Sequence, residues 1–252
     1  MRKGIFGLLI LASLAALPAC SGGDGGDEEV PLGPVAPEDP QVLELLVVLD
    51  DRHPRLVVLE KKQGGKADAL NAGLQTFDGE LKADSEARRR VQVLLVGVGG
   101  EARVLQEWID ASEFTPPTLT AGGATPLGQG VRIALERIEA QKVQYHANGI
   151  AYKRPWLIIM SDGAPTDDWQ TVAQQCRQAE TDKKVTVFSV GVGGAALDTL
   201  AQFSTRGAQP LDRTRFGEFF VWLSASTATV SKSAEGQQVA LPPIDNWVTV
   251  TS

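Results

Sequence analysis

Cysteine and histidine are both scarce in this sequence, with two residues of each type among 252. A disulfide framework needs several cysteines, and structural zinc sites are built from clusters of cysteine and histidine. Cys20 lies in the amino-terminal segment, so Cys176 is the single cysteine of the folded domain expected further along the chain. Its helical spacing from Val172 and Ala179 predicts a buried thiol. We therefore expect no internal disulfide, and the two separated histidines, His53 and His146, give no support for a zinc site.

Basic residues are also fewer than acidic ones in this sequence. The 24 Lys and Arg residues are outnumbered by 31 Asp and Glu residues, which gives a formal net charge of −7. Proteins that bind nucleic acid neutralise its phosphates with lysine and arginine. We therefore expect no nucleic-acid partner.

The apolar run over residues 4–17 is shorter than the roughly 20 residues that span a bilayer, so it does not predict a transmembrane helix. It follows Arg2 and Lys3, which is the pattern of a signal peptide over residues 1–19. The sequence LPAC that ends at Cys20 resembles the lipobox of bacterial lipoproteins. That resemblance implies acylation of Cys20 and a lipid anchor in the cell envelope, on the periplasmic or extracellular side. Simple secretion, or a cytoplasmic location if the leader does not function, are the alternatives.

Residues 20–40 are rich in glycine and proline and carry acidic residues without any basic one. Such a segment cannot bury apolar surface, and it is predicted to be an extended, solvated tether. We expect the folded domain over residues 41–233 and a carboxy-terminal tail over 234–252. The acidic residues of the tether are Asp24, Asp27, Glu28, Glu29, Glu38 and Asp39.

Short apolar runs alternate with amphipathic stretches from residue 41 onward. The runs are nearly continuous in Val, Ile and Leu, as in strands covered on both faces of a parallel sheet. The stretches between them place apolar side chains at helical spacing. This alternation predicts an α/β fold with a doubly wound, mainly parallel sheet and helices on both faces. The predicted strands are 43–50, 91–99, 155–162 and 184–193, and the helical faces run over 67–81, 127–138 and 216–230.

Carboxylates end two of the predicted strands, Asp50 in the first and Asp162 in the third. Ligands of doubly wound sheets bind beyond the carboxyl ends of the strands, so both residues are candidate site residues. Plainer interpretations stay open: Asp162-Gly163 is an ordinary turn, and Thr125 before Pro126 is an ordinary helix N-cap.

The sequences GGATPLG (122–128) and SDGAPTDDW (161–169) resemble a von Willebrand factor A domain, most closely the tellurium-resistance TerY-like branch. The resemblance implies a Rossmann-like fold and a non-enzymatic, metal-ion-dependent protein-binding module, with a link to tellurite or stress resistance. It implies Mg²⁺ or Mn²⁺ held by Asp50, Thr125 and Asp162 on three loops, with an acidic side chain of a protein partner completing the shell. Hard divalent cations of this kind take oxygen ligands.

The first of these loops departs from the family pattern. The sequence DDRHP (50–54) has Arg52 and Pro54 where the family carries two serines. Proline offers no ligand, and an arginine beside a divalent cation is electrostatically unfavourable. Asp51 is an alternative oxygen donor, and a degenerate scaffold domain without metal is an alternative to the metal site.

Residues 53–74, which include the run GGKADALN, resemble a segment of processive inverting glycosyltransferases. In that family an Asp-Asp strand end, here Asp50 and Asp51, contacts the nucleotide. The later Asp-x-Asp and Gln-x-x-Arg-Trp motifs of those enzymes are missing, and no acidic general base stands in context. A nucleotide-sugar glycosyltransferase fragment is therefore the second hypothesis, and a non-enzyme is the first.

Overall fold

The computed structural model describes residues 66–119, 124–162, 164–193, 195–212, 214–233 and 238–243, together with the backbone of 43–50. Strands and helices alternate along this part of the chain. The strands are β1 (Leu43–Asp50), β2 (Val91–Gly99), β3 (Glu101–Asp110), β4 (Trp156–Ser161), β5 (Thr186–Val192) and β6 (Ala208–Leu211). The helices are α1 (Lys66–Ala83), α2 (Ala87–Arg90), α3 (Leu127–Ala147), α4 (Gln170–Thr181), α5 (Leu197–Leu200) and α6 (Phe216–Lys232), with a 3₁₀ turn at Ala201–Phe203.

The six strands form one sheet in the order β3-β2-β1-β4-β5-β6. All neighbouring strands are parallel except β2 and β3, which are antiparallel. The chain builds the sheet outward from β1 in one direction and then crosses over to β4 on the other side of β1. This reversal makes the β1–β4 boundary the topological switch point of the sheet, where α/β proteins commonly bind ligands.

Helices cover both faces of the sheet. α1 and α6 pack on one face, against the even-numbered apolar side chains of β4 and the odd-numbered ones of β2. α3 and α4 pack on the other face, against the alternate side chains of the same strands. The predicted doubly wound α/β fold, with its mainly parallel sheet, is confirmed.

Helix α1 forms because apolar side chains recur at helical spacing, and Leu74, Phe77 and Leu81 are fully buried on its inner face. Asn71 belongs to the GGKADALN run, and its side-chain amide makes two hydrogen bonds to the backbone of Leu119, at 2.8 and 3.0 Å. Three residues of the glycosyltransferase-like segment, Leu70, Asn71 and Leu74, therefore have structural roles.

Four strands begin and end within two residues of their predicted limits. Strands β3 and β6 were not predicted. β3 alternates charged and apolar residues, because it is an antiparallel edge strand that follows β2 after a tight turn at Gly100, whose φ is +73°. β6 has four residues including Pro210, and proline has no N–H to donate, so it is tolerated only at such an edge.

The predicted burial of Cys176 is confirmed, since its side chain is fully inaccessible. Burial, with the negative charge of Glu180 nearby, raises the pKa of the thiol to about 12. The thiol is therefore protonated and packs as an apolar group rather than serving as a nucleophile. Within the described ranges, the helices are too short or too polar for any of them to traverse a bilayer.

Candidate functional site

The ends of β1 and β4 bring two of the predicted site residues to one edge of the sheet. Leu49 pairs with Met160, so Asp162 follows directly after the residue that lies opposite Asp50. Neighbouring strands are about 4.8 Å apart, so the two backbones leave the sheet side by side at the switch point. The Asp162 side chain is half-buried.

Thr125 reaches the same edge through its backbone. The carbonyl oxygen of Ala124 accepts a hydrogen bond of 2.8 Å from the N–H of Gly100, which follows β2. The carbonyl oxygen of Thr125 accepts one of 2.9 Å from the N–H of Thr166, in the loop that follows β4. The backbone of residues 124–125 is thus held between the loop that follows β2 and the loop that follows β4.

The helix that follows Thr125 is capped by the loop after β4. One carboxylate oxygen of Asp167 accepts a hydrogen bond from the N–H of Gly128 at 3.0 Å, and the other accepts one from Gln129 at 2.8 Å. Gly128 permits this approach, since an added Cβ would lie 2.8 Å from the Cα of Trp169. A helix N-terminus needs such acceptors because its first N–H groups have no partner within the helix.

This cap leaves the hydroxyl of Thr125 without a capping role. Thr125 is fully buried, and its Oγ1 has no hydrogen-bond partner among the residues that the structure describes. The N-cap interpretation of Thr125 is therefore wrong. A buried hydroxyl without a partner is unfavourable by about 1 to 3 kcal/mol, so the hydroxyl of Thr125 contributes no hydrogen bond to the stability of the fold.

The donors that the structure describes suit a hard divalent cation. A threonine hydroxyl and an aspartate carboxylate are oxygen ligands of the type that Mg²⁺ prefers. No group of three or more His, Cys, Asp or Glu side chains that could hold a metal occurs in the described ranges. The third residue that the family resemblance implies, Asp50, ends β1 at this edge of the sheet. The Asp50 side chain, Asp51, and the departures Arg52 and Pro54 lie outside the described residues, as does Cys20.

Asp167 is a structural residue at the candidate site that the sequence does not predict. In the loop 162–169 the sequence singles out Asp162, whereas the side chain of Asp167 joins this loop to α3. The signal was present: the candidate N-cap position before Leu127 is occupied by Pro126, which has no side-chain acceptor, so another residue had to supply one.

A second buried carboxylate, Glu180, lies far along α4 and has a structural role. Its side chain is 5% exposed. It accepts hydrogen bonds from Val187 N at 2.9 Å, Ser204 Oγ at 3.1 Å and both the N–H and the hydroxyl of Thr205. Burial alone would raise its pKa, but these hydrogen bonds and the nearby Arg206 outweigh burial and hold the pKa below its usual value.

Several solved structures share this fold. The pilus adhesin SpaC from Lactobacillus rhamnosus GG is 12% identical, with a TM-score of 0.59 over 76% of this chain and 31% of its own. The von Willebrand factor domain of the type V pili tip protein Mfa5 from Porphyromonas gingivalis is 11% identical, with a TM-score of 0.53 over 79% of this chain and 99% of its own. The PilB minor pilin from Streptococcus sanguinis is 10% identical, with a TM-score of 0.52 over 77% of this chain and 63% of its own.

This chain spans less than half the length of several of the structures that it matches. A comparison with curated protein sequences gives no match. The family model of the von Willebrand factor type A domain matches residues 88–219, which is more than half of the chain and includes Thr125, Asp162 and Asp167. The chain belongs to the von Willebrand factor type A domain family.

Proposed function

We propose that this chain is a protein-binding module whose binding site is a Mg²⁺ or Mn²⁺ ion at the carboxyl edge of the sheet. Thr125 and Asp162 would supply two of its ligands, and Asp50 the third. The observation that carries the proposal is the Thr125 hydroxyl, which is fully buried at the switch point with no partner among the described residues. A metal ion would give this oxygen a ligand bond, whereas the described residues of the fold give it no hydrogen bond.

The chemistry of the donors favours binding of an acidic group. Two aspartates balance the charge of one divalent cation, and the neutral hydroxyl adds none. Mg²⁺ demands near-octahedral coordination, so three protein ligands leave positions for water or for an oxygen of a partner. A carboxylate on a partner protein is the side chain best suited to replace one of those waters.

A location in the cell envelope fits this function. The leader and Cys20 support a membrane-tethered module, held by a lipid at the end of the segment 20–40. Solved proteins of this fold include a pilus adhesin and a minor pilin. Fractionation of cells that express the chain tests the anchor: the protein is expected with membranes, and Cys20→Ser is expected to release it. A Cys20→Ser chain that stays with membranes contradicts acylation at this residue.

The link to tellurite or stress resistance rests on the likeness to the TerY-like branch. Deletion of the gene is expected to lower the tellurite concentration that stops growth, and the Asp162→Ala chain is expected not to restore it. Growth that is unchanged by deletion rejects the link and leaves the binding function standing.

Calorimetric titration with Mg²⁺ and Mn²⁺ tests the metal site. The parent chain is expected to bind either ion at one site, and Asp162→Ala is expected to weaken binding at least tenfold. Asp168→Ala is the matched control, because Asp168 is an exposed neighbour in the same loop. Equal binding by the parent and Asp162→Ala removes the metal from the account.

Arg52 and Pro54, which stand where the family carries serines, allow a second test of the metal site. Restoring the two serines, by Arg52→Ser with Pro54→Ser, is expected to tighten Mg²⁺ binding, because a positive charge is removed and two hydroxyl ligands are added. A parent that binds no metal, beside a restored chain that does, identifies the parent as a degenerate scaffold.

A further inference from the structure

A large groove lies at the amino edge of the sheet, opposite the candidate metal site. It has a volume of about 1340 Å³, and the first residues of β4 and β5, Trp156 and Thr186, form part of its lining. The carboxy-terminal part of α3, residues 149–155 and residues 183–184, which follow α4, form further walls. Since parallel strands begin at this edge and end at the other, the groove is separate from Thr125 and Asp162.

The groove is basic although the chain as a whole is acidic. Among the residues that the structure describes, its lining has one carboxylate, Glu139, and six Lys or Arg side chains. Lys142 is buried and satisfied, since its Nζ donates to Glu139 and to the carbonyl oxygen of Lys184, both at 2.8 Å. The six cationic side chains are Lys142, Lys153, Arg154, Lys183, Lys184 and Arg206.

Two of these cations are available to a partner. Arg154 and Lys183 are exposed, and neither forms an ion pair with any residue in the described ranges. The nearby carboxylates form ion pairs with other cations. Asp182 Oδ2 lies 3.8 Å from Lys184 Nζ, and Glu180 Oε1 lies 3.9 Å from Arg206 Nε. Cations are common near helix C-termini because they offset the helix dipole. That explanation covers Lys183, which follows the C-cap of α4, but not Arg154, which precedes β4.

An apolar pocket adjoins the groove. It has a volume of about 180 Å³ and shares Phe188 and Arg206 with the groove. Val190, Phe219 and Trp222 form its apolar wall. A cavity of roughly 150 Å³ holds a benzene molecule, so this pocket has room for one large apolar side chain.

Arg206 marks the boundary between the two spaces. Its guanidinium lies over the Phe188 ring, 5.3 Å from the ring centroid. The Phe188 ring in turn lies between those of Trp156 and Trp222, at centroid distances of 5.2 and 5.7 Å. A row of aromatic rings thus runs from the wall of the basic groove to the wall of the apolar pocket.

We propose that the groove and the pocket together bind an acidic peptide segment of a partner protein that carries one large apolar side chain. The acidic residues lie along Arg154, Lys183 and Lys184, and the apolar side chain enters the pocket beside Phe188 and Trp222. Charge complementarity selects the segment, and burial of the apolar side chain supplies most of the affinity. This surface is independent of the proposed metal site and gives the domain a second contact at the opposite edge of its sheet.

Fluorescence anisotropy with a labelled nine-residue peptide of Glu and Asp around a central Phe tests the proposal. The full chain is expected to bind this peptide in low salt and to bind it equally well in EDTA, because no metal takes part. Arg154→Glu with Lys183→Glu is expected to weaken binding at least tenfold. Replacing the central Phe by Ser in the peptide is expected to weaken it at least fivefold.

Arg88→Glu with Arg132→Glu is the matched control, because it changes the same charge at exposed positions that do not line the groove. This variant changes the net charge by the same amount as Arg154→Glu with Lys183→Glu. Once the effect of net charge is subtracted, its affinity for the peptide is expected to lie within twofold of that of the parent. Equal affinity for both double variants overturns the proposal, and so does equal binding of the Phe and Ser peptides. Binding that EDTA abolishes assigns the peptide to the metal site instead. Anionic vesicles or polyglucuronate that bind the groove while the peptide does not overturn the peptide as its occupant.

Discussion

The carboxylate of Asp167 accepts the hydrogen bond of the Gly128 N–H at 3.0 Å, so the loop after β4 caps the helix that begins after Thr125. Two loops of the candidate site are thereby joined by a side chain that is not itself a proposed ligand. The contact fixes the segment that carries Asp162 against the segment that carries Thr125.

Asp167→Ala is expected to lower the free energy of unfolding by about 0.5 to 2 kcal/mol, the usual effect of losing a helix cap. It is also expected to weaken Mg²⁺ binding, because the two loops are no longer held together. Chemical denaturation and calorimetric titration measure the two effects. Asp168→Ala serves as the control, and equal effects of the two substitutions would contradict the capping role.

Gly73 and Gly79 lie in the same helix, α1, and substitution by alanine is expected to have opposite effects. Glycine within a helix is less favourable than alanine by about 1 kcal/mol. An added Cβ at Gly79 meets nothing within 4 Å, so Gly79→Ala is expected to stabilise the chain by about 0.5 to 1 kcal/mol. At Gly73 the Cβ would lie 2.7 Å from the ring of Phe220, which is fully buried. Gly73→Ala is expected to destabilise by about 1 to 3 kcal/mol, as overpacking does.

Thermal unfolding of the two variants gives the comparison directly. For a domain of this size, 1 kcal/mol shifts Tm by roughly 2 to 4 °C. Shifts of the same sign for both variants would show that α6 does not pack against α1 as closely as the structure indicates.

The lowered pKa of Glu180 leads us to expect that the folded chain loses stability in acid. Its pKa is lowered in the folded chain, because hydrogen bonds from Val187 and Thr205 and the charge of Arg206 outweigh the effect of burial. A lowered pKa contributes stability above the unfolded value, about 4.3 for glutamate. That contribution is lost as the pH falls from there through the folded pKa.

Glu180→Gln is expected to lower the free energy of unfolding by roughly 2 to 3 kcal/mol at pH 7, because an amide N–H₂ would face N–H donors. The difference from the parent is expected to shrink as the pH falls below the unfolded value, because the unfolded parent then takes up a proton that the folded carboxylate, with its lowered pKa, still resists. Denaturation at pH 7 and pH 3 measures both values. A difference that is the same at the two pH values would contradict the ionised state of Glu180.

The sequence predicts the central strands because they are covered on both faces and therefore read as unbroken apolar runs. β3 and β6 lie at the sheet edges, where one side of each strand has no neighbour, and their patterns are mixed or short. Edge strands carry little hydrophobic signal, so periodicity does not reveal them.

The sequence likewise predicts some residues of the candidate site and not others. Asp162 is predicted because it ends a recognisable strand and lies in a family motif. Asp167 is not, because its role depends on a contact between segments 38 residues apart in the chain. The local sequence left a role as N-cap open for Thr125 beside that of a metal ligand, and the three-dimensional structure shows that Asp167 caps the helix instead.

Substitution of Thr125 by valine tests the central claim most directly, since valine keeps the shape and removes the hydroxyl. Thermal unfolding is measured for both chains with and without excess Mg²⁺, which stabilises a binding-competent fold by about 2.7 kcal/mol at 100 times its Kd. Without metal, Thr125→Val is expected to be at least as stable as the parent, because a buried hydroxyl with no partner is removed. With metal, only the parent is expected to gain stability. A metal-free Thr125→Val chain that is clearly less stable than the parent, or an undiminished Mg²⁺ shift in the variant, would contradict the account.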